Sequence, residues 1–124
     1  MFVLINLPIH RMKIINKTRN ALLAEEAVMA DTTFSRMKGL LGRKGLNPKE
    51  ALILKPSNSI HTFFMHFPID VLFVDKDNRI VKAISAMRPF RLSAIYFQSH
   101  FVVELAAGII QATSTAKGDA IFIE

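Results

Sequence analysis

VLFVDKDNRIVKAISAM, residues 71–87, decides the fold. Four apolar residues run into Asp75-Lys76-Asp77-Asn78, whose short carboxylate and amide side chains bond nearby backbone and favour a tight reversal. An apolar, partly β-branched run resumes at Ile80. Two such runs around a turn predict a hairpin of residues 71–74 with residues 80–87. The Asp-rich turn also suggests calcium, but the spacing, the glycine and the distant glutamate of an EF-hand loop are missing, so calcium is discounted.

Outward from this hairpin, residues 51–54, 101–106 and 120–123 read as further strands, and residues 13–16 as another before the turn Lys17-Thr18-Arg19-Asn20. The next segment, ALLAEEAVMA (residues 21–30), has helical propensity but follows a tight turn, and is read as the return strand. Asp31, Thr32 and Thr33 offer N-cap oxygens to a helix through about Leu41, with Phe34, Met37 and Leu41 on one stripe and Gly42 and Gly45 past its end. Arg36 and Arg43, seven apart, share a different stripe that faces solvent or an anion. Residues 88–100, with Pro89 and several aromatics, read as a loop or lid over one end of the sheet, and a short helical turn follows Gly108. Strands dominate, so the expected fold class is α+β, a mostly antiparallel, curled sheet with one or two short helices.

The 124 residues are 51% hydrophobic and 21% charged, which suits one folded domain. No repeat or linker divides it. Met12 opens MKIINKTRN, and a start there would leave residues 1–11 as an N-terminal extension of a single domain over 12–124. The chain has no cysteine, which removes thiol catalysis and cysteine-ligated metals. The apolar opening MFVLINLPI lacks a basic lead and a cleavage site, and no stretch approaches the roughly 18 apolar residues that span a bilayer. A cytoplasmic protein with no membrane partner is therefore expected. The net charge of +6 invites a nucleic-acid reading, but the Lys and Arg residues fall in three moderate groups near turns, and solvated surface charge is preferred.

The chemistry concentrates in IHTFFMHFPIDVLFVD, residues 60–75, which places His61, Thr62, Met65, His66 and Asp70 in an apolar run. Polar groups in a core require partners. His61 and His66 are five apart, on opposite faces of a strand, and HExxH is absent, so a metal has no evident shell. Met65 among phenylalanines reads as core filler. Glu104, in FVVELAA, shares a strand face with Val102 and Ala106, and His61, Arg36 or Arg43 would be its partners. A pairing with His61 would supply a base and an orienting group without a nucleophile. No glycine-rich phosphate cradle is present.

RMKGLLGR (residues 36–43), IHTFFMHFPIDVLFVD, VVELAAG (residues 102–108) and the closing KGDAIFIE, in this order and spacing, resemble the domain-of-unknown-function 192 family of small bacterial and archaeal proteins. The resemblance covers nearly everything after Met12. It implies a single, mostly β, barrel-like domain with short helices and no established activity. The family's characteristic polar positions fall on Arg36, Arg43, His61, Thr62, Met65, Asp70, Glu104 and Asp119. Many relatives carry a secretory signal that is missing here, and many have proline where Ala106 or Ala107 stands.

The leading functional expectation is a non-enzymatic binding module. Its polar pocket, formed by Arg36, Arg43, His61, Thr62, Met65, Asp70 and Glu104, would hold a small anionic ligand or a partner segment, without a cofactor. One alternative is a small hydrolase or metal-assisted enzyme using His61 with Glu104 or Asp70. Another is a structural or nucleic-acid interaction protein using the basic surface.

Overall fold

A computed structural model of the chain describes residues 10–30 and 43–124. The helix expected near residues 31–41, and Arg36 with it, lie outside the described residues. Seven strands form one sheet: β1 (Met12–Asn16), β2 (Ala21–Ala30), β3 (Glu50–Leu54), β4 (Ile69–Val74), β5 (Ile80–Met87), β6 (Phe101–Ala106) and β7 (Ile121–Ile123). A short helix, α1 (Ile109–Thr113), follows β6. The strand order is β5-β4-β6-β3-β2-β1-β7. All neighbours are antiparallel except β2 and β3.

Both predicted reversals form, and each ends on an asparagine in the left-handed region, Asn20 at φ 53° and Asn78 at φ 61°. Asparagine tolerates that region better than most residues. In the β4–β5 turn, Asp75 Oδ1 accepts the amides of Asp77 and Arg79, both at 2.9 Å. That carboxylate is spent on its own turn. Segment 21–30 is a strand despite its helical propensity, because it pairs with β1 on one side and β3 on the other. The consecutive amides of Glu25 and Glu26 both donate to the Lys49 carbonyl at 2.9 Å. This irregularity lets two adjacent glutamates face solvent.

The sheet curls until its two outermost strands meet. Arg79, before β5, bridges to Ala120, before β7. The Ile80 amide donates to the Asp119 carbonyl at 3.0 Å, and the Ile121 amide to the Asn78 carbonyl at 2.8 Å. The result is a barrel-like sheet joined at one end. The central strands β4 and β6 are buried at every position, so both sheet faces are covered. Inside the curl, Leu72, Val74, Val103 and Leu105 pack with Ile14, Leu23, Ile53, Ile110 and Ile121. On the other face Ile69, Val71, Phe73 and Val102 pack against Ile60, Met65 and Met87. Tyr96, from the segment between β5 and β6, lays its ring 4.5 Å from that of Phe73. Tyr96 thus brings the 88–100 segment over part of the sheet's outer face.

Candidate functional site

The alternation of strand residues separates the polar groups that the sequence singles out. Asp70 pairs with Leu105 and shares its face, inside the curl, whereas Glu104 pairs with Val71 and Leu52 on the outer face. Asp70 and Glu104 therefore point to opposite sides of one sheet.

Asp70 is fully buried. Its Oδ1 accepts the Ala86 amide at 2.8 Å, and its Oδ2 accepts the amides of Gly108 and Ile110 at 3.1 and 2.8 Å. Ala86 sits at φ 50° and Gly108 at φ 102°, so the carboxylate ties two unusual backbone positions to β4. It also supplies α1 with the side-chain cap that Gly108, having no side chain, cannot.

Glu104 is only 4% exposed. No hydrogen bond or ion pair holds it among the described residues. Desolvation by burial raises its carboxyl from 4.5 to about 8. It therefore stands protonated at neutral pH, as an O–H donor between Leu52 and Val71.

Thr62 is fully buried and joins two segments. Its hydroxyl donates to the Arg88 carbonyl and accepts the Arg91 amide at 3.0 Å. Its own amide donates to the Arg91 carbonyl at 2.9 Å, and its carbonyl accepts the Phe90 amide at 2.8 Å. His61 is exposed, accepts the Phe63 amide on Nδ1 at 3.2 Å, and stacks on the Phe63 ring with centroids 5.1 Å apart. No hydrogen bond connects it to Glu104 or Asp70. Met65 is buried in the outer-face core. Arg43 donates to Glu50 Oε1 at 2.9 Å on the surface. The Asn47 amide on the same oxygen, opposed by partial burial and helped by Arg43, holds Glu50 below the ordinary carboxylate range. The described members of the expected pocket are thus distributed over both sheet faces and the surface. Among the described residues no cluster of three or more His, Asp and Glu side chains forms a metal shell.

Asp119, named by the family pattern, ties the residues before β7 to β1 and its turn. Its Oδ2 accepts from Asn16 Nδ2, Arg19 Nε and the Ala116 amide, all at 2.9 Å. Burial pulls its pKa upward, but the Asn16 and Arg19 bonds, the Ala116 amide and the Arg19 charge outweigh it and hold the carboxyl low. Buried Asn16 also donates to Thr115 Oγ1 at 3.0 Å.

A groove of about 720 Å³ opens at the joined end of the sheet, between β5 and the 88–100 segment. Arg79, Lys82 and Lys117 supply its cations, and Ile95, Tyr96 and Phe97 its apolar wall. Asp75 is the lone carboxylate lining it, and that group already accepts two turn amides. The Arg79 guanidinium is steered by a 3.2 Å bond to the Gly118 carbonyl. Arg79 and Lys82 lie three apart at the start of β5, and Lys117 joins them from a distant part of the chain, so no local motif announces all three. The available signal was the stretch from Asn78 to Val103, which carries Arg79, Lys82 and several aromatics but no acid.

A curled, mostly antiparallel sheet with one short described helix and a basic, aromatic-walled groove defines a small β-rich domain, and among the described residues no catalytic constellation is evident. The chain belongs to the DUF192 family, described as Uncharacterized ACR, whose model matches residues 14–123. It is 31% identical over 112 residues to a UPF0127 protein of Thermococcus sibiricus, covering 87% of this chain and 72% of that one. It is 29% identical over 114 residues to a UPF0127 protein of Pyrococcus horikoshii, covering 87% and 96%. The fold is similar to the crystal structure of a protein of unknown function from Novosphingobium aromaticivorans, with a TM-score of 0.78, 19% identity, and coverage of 92% of this chain and 84% of that one.

Proposed function

We propose that the protein is a non-enzymatic binding module, and that its ligand is a small anion carrying an apolar or ring portion. The observation that carries this reading is the charge balance of the groove, where Arg79, Lys82 and Lys117 face one carboxylate already engaged by backbone. Cations beside a low-dielectric wall focus potential on an anion, and Tyr96 and Phe97 offer surface to a ring. A cytoplasmic setting belongs to the same proposal.

A thermal-shift screen of nucleoside monophosphates, aromatic carboxylates and their neutral analogues tests it. A ligand at about 100 times its Kd stabilises a domain by about 2.7 kcal/mol, a shift of several degrees. The anionic ring compounds should raise Tm, the neutral analogues should not, and Lys82→Glu with Lys117→Glu should abolish the rise. Equal shifts from neutral analogues, or none from any anion, would reject the reading.

A further inference from the structure

We propose that the tip built by residues 63–64 and 90–92 seats on an anionic lipid bilayer, with Phe64, Phe90 and Leu92 in the headgroup–acyl boundary and Arg88 and Arg91 against lipid phosphates. Of the eight large apolar side chains exposed among the described residues, six fall within residues 63–64 and 90–97. At the tip, Phe64 and Leu92 are each 70% exposed and Phe90 is 56% exposed. They fall in two neighbouring groups: Leu92 pairs with His61, which stacks on Phe63, and from the next residue the Phe64 ring meets that of Phe90 edge-on at 5.6 Å. Large apolar side chains gathered and exposed in this way mark an interaction surface.

The tip is also held in place. Phe64 at φ 65° and Phe90 at φ 60° occupy the left-handed region, which disfavours bulky side chains. Such backbone persists where surrounding bonds over-determine it, and here the Thr62 carbonyl accepts the amides of both Met65 and Phe90. Neither ring gains burial from the strained backbone. Folding alone gives no reason to present these rings to water.

Charge selects the partner. No acid occurs between Glu50 and Asp70 or between Asp77 and Glu104, while Arg88 and Arg91 are exposed beside the rings. A second copy meeting this face symmetrically would bring arginine against arginine with no carboxylate in either segment to pair them. An anionic bilayer supplies negative charge and a soft apolar layer together. The tip's residues come from two separated loops, so no continuous apolar segment marks it.

Co-sedimentation with vesicles of phosphatidylcholine alone, and of phosphatidylcholine mixed with phosphatidylglycerol, tests the inference. Binding is expected to the mixed vesicles, to weaken as salt rises, and to fall about tenfold or more in the Phe64→Ser, Phe90→Ser double variant. Arg88→Glu with Arg91→Glu should also release it. In a Phe64→Trp variant, which keeps the apolar tip, emission should shift to the blue on mixed vesicles and be quenched by brominated acyl chains. No binding to mixed vesicles, binding that survives loss of the rings, or a tryptophan that stays in water would each overturn the proposal. So would self-association in sedimentation velocity that the serine pair abolishes, since the tip would then be an interface between copies. The groove cations are untouched by these variants, so this proposal and the ligand proposal fail independently.

Discussion

Glu104 shows what one buried carboxyl does to the molecule. Its pKa is raised from 4.5 to about 8, so the native state keeps a proton that the unfolded chain releases between those values. The associated stability is full below about pH 4.5, declines as pH rises toward 8, and is level beyond. Urea unfolding at about pH 5 and about pH 8.5 should show the wild type weaker at the higher pH by several kcal/mol, and Glu104→Gln should remove most of that difference. An unchanged pH slope in the variant would assign the effect to other groups. Glu104 was legible as an anomaly because a glutamate in FVVELAA breaks an apolar strand. Its isolation from His61 was not, since strand alternation fixes a face but not what packs over it. Asp70 illustrates the same limit, as its partners are the amides of Ala86, Gly108 and Ile110, and backbone atoms leave no mark in a sequence.

At the scale of elements, the strands were readable because each apolar run has the length and bounding turn of a strand, and the hairpin 71–87 formed around the predicted reversal. The segments between strands carry less periodicity, and there the structure adds most. The ladder joining residues 60–62 to 91–93 depends on Thr62, a residue that looks incidental in IHTFFMHF. Thr62→Val keeps the shape but leaves the Arg91 amide and the Arg88 carbonyl without their hydroxyl partner. It should cost about 1 to 3 kcal/mol and loosen the loops before the sheet. Hydrogen exchange checks this: the Phe90 and Ser93 amides should lose protection while those of β4 and β6 keep theirs. Uniform loss across the sheet would instead mean that the two segments fold as one unit with the core.

At the scale of the whole molecule, the sheet's curl creates the groove, because Arg79 and Lys117 become neighbours only when the start of β5 meets the residues before β7. The curl was expected from strand content and family pattern, but beside the closure Asp119 meets Asn16 and Arg19, about a hundred residues away in the chain, and no local pattern links them. Asp119 is the common acceptor of that network, and its backbone carbonyl holds the Ile80 amide across the seam. Asp119→Ala leaves buried Asn16 with fewer partners and should cost about 2 to 4 kcal/mol. Its effect should be selective as well as large: the Ile80 and Ile121 amides at the seam should exchange faster, and binding of any anion that uses Arg79 and Lys117 together should weaken with them. The wild type should approach the same state in acid. Asp119 titrates below its ordinary 3.8, so its contribution is present above that value and is lost as pH falls through the lower folded one. A seam that stays protected in Asp119→Ala would show that the backbone bridge between Arg79 and Ala120 suffices to close the sheet, and that the polar network serves only the β1–β2 turn.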